Sequence, residues 1–231
     1  MSRLDDILAS KRQEVETLRA RPRQRATRAP VDVYRAVHRA PGEALRLIAE
    51  VKLRSPSAGL LSHAMTPAAR AAAYVEAGAA MVSVLCDGPF FEGSWEHLAG
   101  ARSRIGPVPL LAKEFVIDPV QVWQARDQGA DAVLLIARIV DEPTLRALAD
   151  VARQEQLEPL VEVMDEAELE AALGAGARVV GVNARDLDTL GMDAERAARV
   201  LEAIPAGIVA IHLSGLKRSD DVRRVAGTRA D

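Results

Sequence analysis

From residue 45 onward, short apolar runs alternate with longer stretches in which apolar residues recur at helical spacing. The runs are 45–51, 81–85, 108–112, 132–137, 159–163, 179–182 and 208–213, and helical patterns lie near 67–77, 95–104, 119–128, 143–155, 166–173, 194–203 and 219–225. Each run is nearly continuous in Val, Leu, Ile and Ala, which predicts strands of a parallel sheet covered on both faces. Gly78-Ala79, Gly129-Ala130 and Gly176-Ala177 fall where a helix gives way to a strand, as glycine C-caps should. Serial alternation of this kind predicts an α/β fold, a (β/α)8 TIM barrel of which seven βα units are visible. The chain reaches Asp231 about where an eighth strand is expected, so the barrel reads as truncated before that strand. A doubly wound open sheet is the alternative, but no glycine-rich nucleotide loop follows the first strand.

The first 44 residues follow a different pattern. Leu4, Ile7, Leu8, Val15 and Leu18 recur at roughly helical intervals and predict an amphipathic helix over 2–18 that lies on another element. Residues 19–30 are rich in Arg and Pro with few apolar side chains, the composition of a solvated basic connector. The expected division is therefore a helical extension with its linker, 1–44, and a barrel domain, 45–231.

Composition narrows the function. With 49% apolar residues a sizeable core is available and disorder is excluded, while a net charge of −3 without a basic stripe argues against a nucleic-acid partner. No stretch is long and apolar enough to suggest a membrane span or a signal peptide. A lone cysteine, Cys86, excludes an intramolecular disulfide framework, fits a cytoplasmic protein and reads as a small core residue.

In barrel enzymes chemistry sits at the carboxyl ends of the strands, so the polar residues that end each run are the informative ones. Strand parity places Glu50 and Lys52 on one face of the first strand, with Ala49 and Val51 on the other. The same count turns Lys113, Glu162 and Asn183 inward at the ends of the third, fifth and sixth strands, with Arg185 just beyond. A single buried ion pair is commonly structural; this many ionisable and amide groups aimed at one mouth are hard to explain by packing. Two lysines and two glutamates supply candidates for a general acid and a general base. Ser214-Gly215 follows the seventh strand as a small polar turn whose backbone N–H groups, at the start of the next helix, would suit an anion.

Five motifs occur in order at these strand ends. They are Ile48-Ala49-Glu50-Val51-Lys52 with Ser55-Pro56-Ser57; Val82-Ser83-Val84-Leu85 with Phe91-Glu92-Gly93-Ser94; Leu110-Leu111-Ala112-Lys113-Glu114-Phe115; Leu160-Val161-Glu162-Val163; and Gly181-Val182-Asn183-Ala184-Arg185-Asp186-Leu187. Together with the N-terminal helix they resemble the indole-3-glycerol phosphate synthase family of tryptophan biosynthesis. The resemblance implies a carboxy-lyase that closes a ring in 1-(2-carboxyphenylamino)-1-deoxyribulose 5-phosphate and then releases carbon dioxide and water, without metal or organic cofactor. It implies that Lys113 is the general acid of ring closure and Glu162 the general base of dehydration. Lys52 would bind the substrate carboxylate or phosphate, Glu50 would orient the lysines, and Asn183 would hold the sugar hydroxyls. Ser55, Phe91, Phe115 and Arg185 would shape the pocket, and Ser214 with Gly215 would take the phosphate. A second copy of the chain, or another enzyme of the same pathway, is the partner such a protein would have.

Two departures qualify the resemblance. The family normally reads Glu-Ser-Gly at the end of strand seven, whereas this chain reads His212-Leu213-Ser214-Gly215, so Leu213 stands where an inward glutamate is expected and His212 falls on the outer face. The missing eighth strand would remove one wall of the phosphate site and weaken activity. A non-catalytic homologue that binds a phosphorylated ligand or a partner chain is the alternative reading.

Overall fold

The apolar runs fold as seven strands: β1 (Ile48–Val51), β2 (Met81–Leu85), β3 (Leu110–Lys113), β4 (Ala132–Ile136), β5 (Glu158–Val163), β6 (Val179–Asn183) and β7 (Val209–Leu213). All pair in parallel with their neighbours in chain order, so every unit extends the same sheet by one strand. The structure, a computed structural model, describes residues 3–55, 59–61, 63–186, 189–216 and 218–231. Pro56, Ser57 and Leu187 of the motifs lie outside the described residues.

Alternation along the strands sorts the core into two layers. Val82 and Val84, Leu110 and Ala112, Val161 and Val163, and Val180 and Val182 face the helices. Met81, Leu111, Ala132, Leu134, Leu160, Val179, Val209 and Ile211 form one cluster with each other, although they come from six strands. Side chains from six strands meet in this way only if the sheet curls, so the inner face encloses a barrel-like interior. Among the described residues no eighth strand joins β7 to β1. At the amino ends of these two strands Asp231 spans the interval: its N–H donates to Ala210 O at 2.7 Å, its carboxylate accepts from Ala210 N at 2.8 Å, and its carbonyl accepts from Arg46 N at 2.8 Å.

The helices between strands are α3 (Pro67–Glu76), α4 (Gly88–Phe91), α5 (Trp95–Arg102), α6 (Pro119–Asp127), α7 (Glu142–Gln154), α8 (Glu166–Gly174), α9 (Ala194–Ala203) and α10 (Ser219–Ala226), preceded by α1 (Arg3–Arg19) and α2 (Val33–Val37). Thr66, Asp118, Asp141, Asp165 and Asp193 each cap the first turn of the helix they precede. Gly78 ends α3 at φ +90°, with its own N–H on Val75 O and that of Ala79 on Tyr74 O. The pair of bonds closes a Schellman turn that a side chain at this φ would strain, and Gly129 and Gly176 repeat it.

The extension brackets the barrel. Helix α1 reaches residues just past the carboxyl ends of β2 and β3, while Val33 and Val37 of α2 pack with Met81, Ala132, Val179 and Val209 at the amino ends. The segment between them therefore runs from the mouth to the floor. It is not the solvated connector its composition suggests. Arg23 binds Asp127 and Glu155 through four hydrogen bonds of 2.9–3.2 Å, and Arg28 binds the buried Asp131, which also accepts from Val31 N, Arg102 and Leu110 N. The arginines are anchors because their acceptors sit on helix ends and strand starts of the barrel. The short α2, with only two buried apolar residues, had no periodicity to announce it.

Candidate active site

The inward positions counted along the strands meet at the carboxyl ends. Glu162 is 3% exposed and uses both oxygens: Oε2 lies 3.0 Å from Lys113 Nζ, and Oε1 accepts from Asn183 Nδ2 at 2.9 Å. Asn183 is fixed in turn, because its Oδ1 accepts from Arg185 N at 3.0 Å. This chain of bonds runs from β3 through β5 to β6 and leaves one donor and one acceptor in defined places. On β1, Glu50 and Lys52 are hydrogen-bonded to each other, and each side chain keeps 30% of its surface exposed. Ser55 is buried beside them in the chain, and Phe91 approaches Phe115 with ring centroids 5.9 Å apart.

Burial alone would push the Lys113 ammonium toward its neutral form. Glu162 and, next, Glu50 outweigh that cost, so the Lys113 pKa stands above the ordinary lysine value. At neutral pH the site holds a protonated lysine against a glutamate, which is a proton donor and a proton acceptor within one hydrogen bond of each other. A carbonyl oxygen placed against Lys113 would be polarised as negative charge develops on it.

Other expected residues stand differently. Arg185 turns its guanidinium to Leu190 O at 3.0 Å, within the loop after β6, instead of toward Glu162. Ser214 and Gly215 form the expected turn, both with left-handed backbone at φ +71° and +79°, but α10 starts only at Ser219, so they do not stand at the start of that helix. Gly215 suits this turn because side chains rarely adopt φ +79°. Leu213 points inward as parity predicts: it is the register partner of Asn183, and its Cδ1 is so close over Gly181 that a Cβ on that glycine would lie 2.6 Å away. His212 takes the other face, half-buried, and burial holds its imidazole below the usual histidine range against a weaker opposing contact with the Ser214 backbone. Cys86 is buried, as expected.

A second group of charges escaped the sequence reading. Lys11 is fully buried and lies 2.7 Å from Asp87 and 3.1 Å from Glu114, both buried as well. The signal was present, since Lys11 occupies the buried stripe Ile7, Lys11, Val15, Leu18 of α1. A separate cleft of about 440 Å³ lies between α1 and the starts of α6 and α7, but it shares no residue with the inward cluster, and its Arg19 is already paired with Asp118 at 2.5 Å. Among the described residues no group of three or more His, Cys, Asp or Glu is placed to hold a metal ion, and no helix is long and apolar enough to cross a membrane.

Comparison with known proteins places this geometry. The family model described as indole-3-glycerol phosphate synthase matches residues 4–231. The chain belongs to the indole-3-glycerol phosphate synthase family. An indole-3-glycerol phosphate synthase of Parafrankia sp. (strain EAN1pec) is 44% identical over 238 residues, covering 100% of this chain and 87% of that protein. One from Mycobacterium ulcerans (strain Agy99) is 43% identical over 202 residues, covering 87% of this chain and 73% of its own length. Among solved structures, a thiamine phosphate pyrophosphorylase from Pyrococcus furiosus superposes with a TM-score of 0.58 over 86% of each chain at 15% identity. A 2-keto-3-deoxy-6-phosphogluconate aldolase of Zymomonas mobilis ZM4 gives 0.55 over 85% of this chain and 80% of that one, at 14% identity. At such low identity these two speak for the barrel-like fold alone. The synthase relatives carry the function: this is a carboxy-lyase of tryptophan biosynthesis acting on a phosphorylated small molecule.

Proposed function

We propose that Lys113 and Glu162 carry the acid–base chemistry of indole-3-glycerol phosphate formation, with Lys52, Glu50 and Asn183 holding the substrate. The observation that supports this is the bond between Lys113 and Glu162, 3.0 Å long, whose second carboxylate oxygen is held by Asn183. In ring closure a ring carbon of the carboxyphenylamino group attacks the ribulose carbonyl. The carbon–carbon bond forms as the carbonyl oxygen becomes an alkoxide, and a lysine kept protonated by its neighbour delivers the proton to that strong base. Carbon dioxide then leaves. Loss of the proton from Lys113 removes the positive charge beside Glu162 and loosens the ion pair, which frees Oε2 to act as base when water is expelled.

Lys52, partly exposed and paired with Glu50, is the cation available to the substrate carboxylate or phosphate. Ser55, Phe91 and Phe115 shape the pocket around the aromatic ring, Ser214 and Gly215 take the phosphate, and Arg185 supports the β6 loop through Leu190. We place the boundary between extension and barrel at 44/45 and the enzyme in the cytoplasm, in keeping with its single buried cysteine. The test is an assay of the purified chain with 1-(2-carboxyphenylamino)-1-deoxyribulose 5-phosphate, following indole fluorescence. Turnover is expected, and Lys113→Ala should lower kcat by about 10²–10⁴-fold. A Lys113→Ala kcat within about tenfold of wild type would overturn these roles, and a wild-type chain without turnover would overturn the assignment of activity.

A further inference from the structure

The side of the β3 strand end that faces away from the pocket holds an arrangement the acid–base chemistry does not use. Lys11 enters it from α1, and the two buried acids around it come from two other parts of the chain. Glu14 follows one turn later on α1, 2.7 Å from the ammonium; Asp87 and the buried Cys86 follow β2; Glu114 follows Lys113 on β3. Two of these acids are enclosed, while Glu14 reaches the surface. One lysine thus joins two buried carboxylates, an arrangement that leaves a large uncompensated charge if the lysine is removed.

Both carboxylates also hold backbone that leads into the mouth. Asp87 accepts from Phe90 N at 2.8 Å and so caps α4, the four-residue helix that carries Phe91. Glu114 accepts from Phe115 N at 2.7 Å, and its own Cα directly follows that of Lys113. Phe91 and Phe115 are the aromatic pair of the pocket. Lys11 pairs with neither Lys113 nor the two rings, yet the two carboxylates it binds hold backbone at or next to all three residues.

We propose that Lys11 is a positioning residue of the synthase reaction: by clamping Asp87 to Glu114 from α1, it sets Lys113 and the Phe91–Phe115 wall in their working geometry. The proposal rests on the assignment of Lys113 made above. A lysine that merely held α1 in place would protect the fold without tuning the chemistry, and the two roles differ in how they respond to pH. Burial pushes the Glu114 carboxyl up, Lys11 pulls it down, Asp87 raises it again, and it comes to rest at about 7. Without Lys11 the carboxyl holds its proton to still higher pH. In Lys11→Met the cluster is then tolerable in acid, where Glu114 is neutral, and strained in alkali, where a Glu114 carboxylate would lie beside Asp87 with no cation between them.

The test measures kcat and KM of the full chain from pH 6 to 9 for wild type, Lys11→Met and Lys11→Met/Glu114→Gln. The variant-to-wild-type ratio of kcat should fall by about tenfold or more between pH 6 and pH 9 in Lys11→Met, a loss typical of a displaced catalytic group. It should be flat in the double variant. Exchange of the Phe90 and Phe115 amide protons, read by NMR without substrate, should quicken in Lys11→Met while β3 itself stays protected. A pH-independent ratio, a double variant no flatter than the single one, or unchanged exchange at the two amides would each overturn the proposal. Absence of turnover in wild type with quickened exchange would instead overturn the assignment of Lys113 and leave the clamp standing. Lys11→Gln, which keeps a donor but no charge, carries the same measurements if Lys11→Met does not fold.

Discussion

Lys113 and Glu114 are neighbours on one strand end, and each takes part in a lysine–carboxylate contact of similar length, 3.0 Å to Glu162 and 3.1 Å to Lys11. Their surroundings separate them. Lys113 looks into a mouth where Glu50 and Lys52 remain partly open to solvent, so its partner can be exchanged for a substrate group. Glu114 looks into a sealed space with a second acid, Asp87, and the Lys11 cation they share. On the roles proposed above, the same pair of residue types is a reactive couple on one face of β3 and a clamp on the other. Strand parity, not residue type, decides which is which.

The largest test of this contrast is on the open side. Glu162→Gln removes the proposed base and the charge that keeps Lys113 protonated, so kcat should fall by about 10²–10³-fold, within the range for loss of one acid–base group. The sign of the pH effect follows from the cause of the shift. Glu162 raises the Lys113 pKa against the cost of burial, so its removal lowers that pKa and the alkaline limb of the residual activity should move to lower pH. An alkaline limb that stays in place while kcat drops would mean that Lys113 is not the group titrating there.

The sealed side should answer in stability. Glu114 titrates at about 7 in the native chain, against an ordinary value of 4.5, chiefly because it is buried. Between these two pH values the unfolded chain has released the proton that the native chain still holds, so native stability falls as pH rises from 4.5 to 7 and levels off above. A shift of this size corresponds to roughly 3 kcal/mol over the window. Lys11, raised by the two acids despite burial, contributes stability that is complete below pH 10.5 and lost only as pH rises through its native value, so it does not cancel the slope. Glu114→Gln should flatten the dependence of urea-unfolding free energy on pH between about 5 and 7, whereas Glu162→Gln should leave it in place.

How far the sequence revealed all this depends on which period carries the information. Glu50, Lys52, Lys113, Glu162 and Asn183 were legible because a strand alternates strictly, and packing alone seldom turns a polar residue inward at the end of an apolar run. Leu213 and His212 were sorted to their faces by the same count. Lys11 was not, because one lysine on a helical stripe resembles any surface lysine until its acids arrive from loops after two other strands. The linker arginines failed for the same reason: Asp127, Asp131 and Glu155 belong to later units, and composition cannot pair them. The Ser214-Gly215 turn was legible, but its place at the start of the next helix was not, because a left-handed pair delays the start of α10 by several residues, which no hydrophobic pattern records.

The smallest effect is expected where the open side is asked to take one more charge. Leu213 leans over Gly181 beside Asn183, so Leu213→Glu would bring a carboxylate to the edge of the Lys113–Glu162–Asn183 chain. Packing against Gly181 and Leu160 is lost, at a cost of about 1–2 kcal/mol of stability for a partly buried side chain. The added negative charge favours the protonated form of the nearby lysines, so the alkaline limb should move upward, opposite to the Glu162→Gln shift, with kcat/KM changing by less than about tenfold because neither the acid nor the base is touched. The matching insertion on the sealed side, Cys86→Asp, would add a third acid to a space served by Lys11 and should prevent folding. A Leu213→Glu chain that fails to fold, or one whose pH profile does not move, would show that the mouth is as closed to new charge as the clamp behind it.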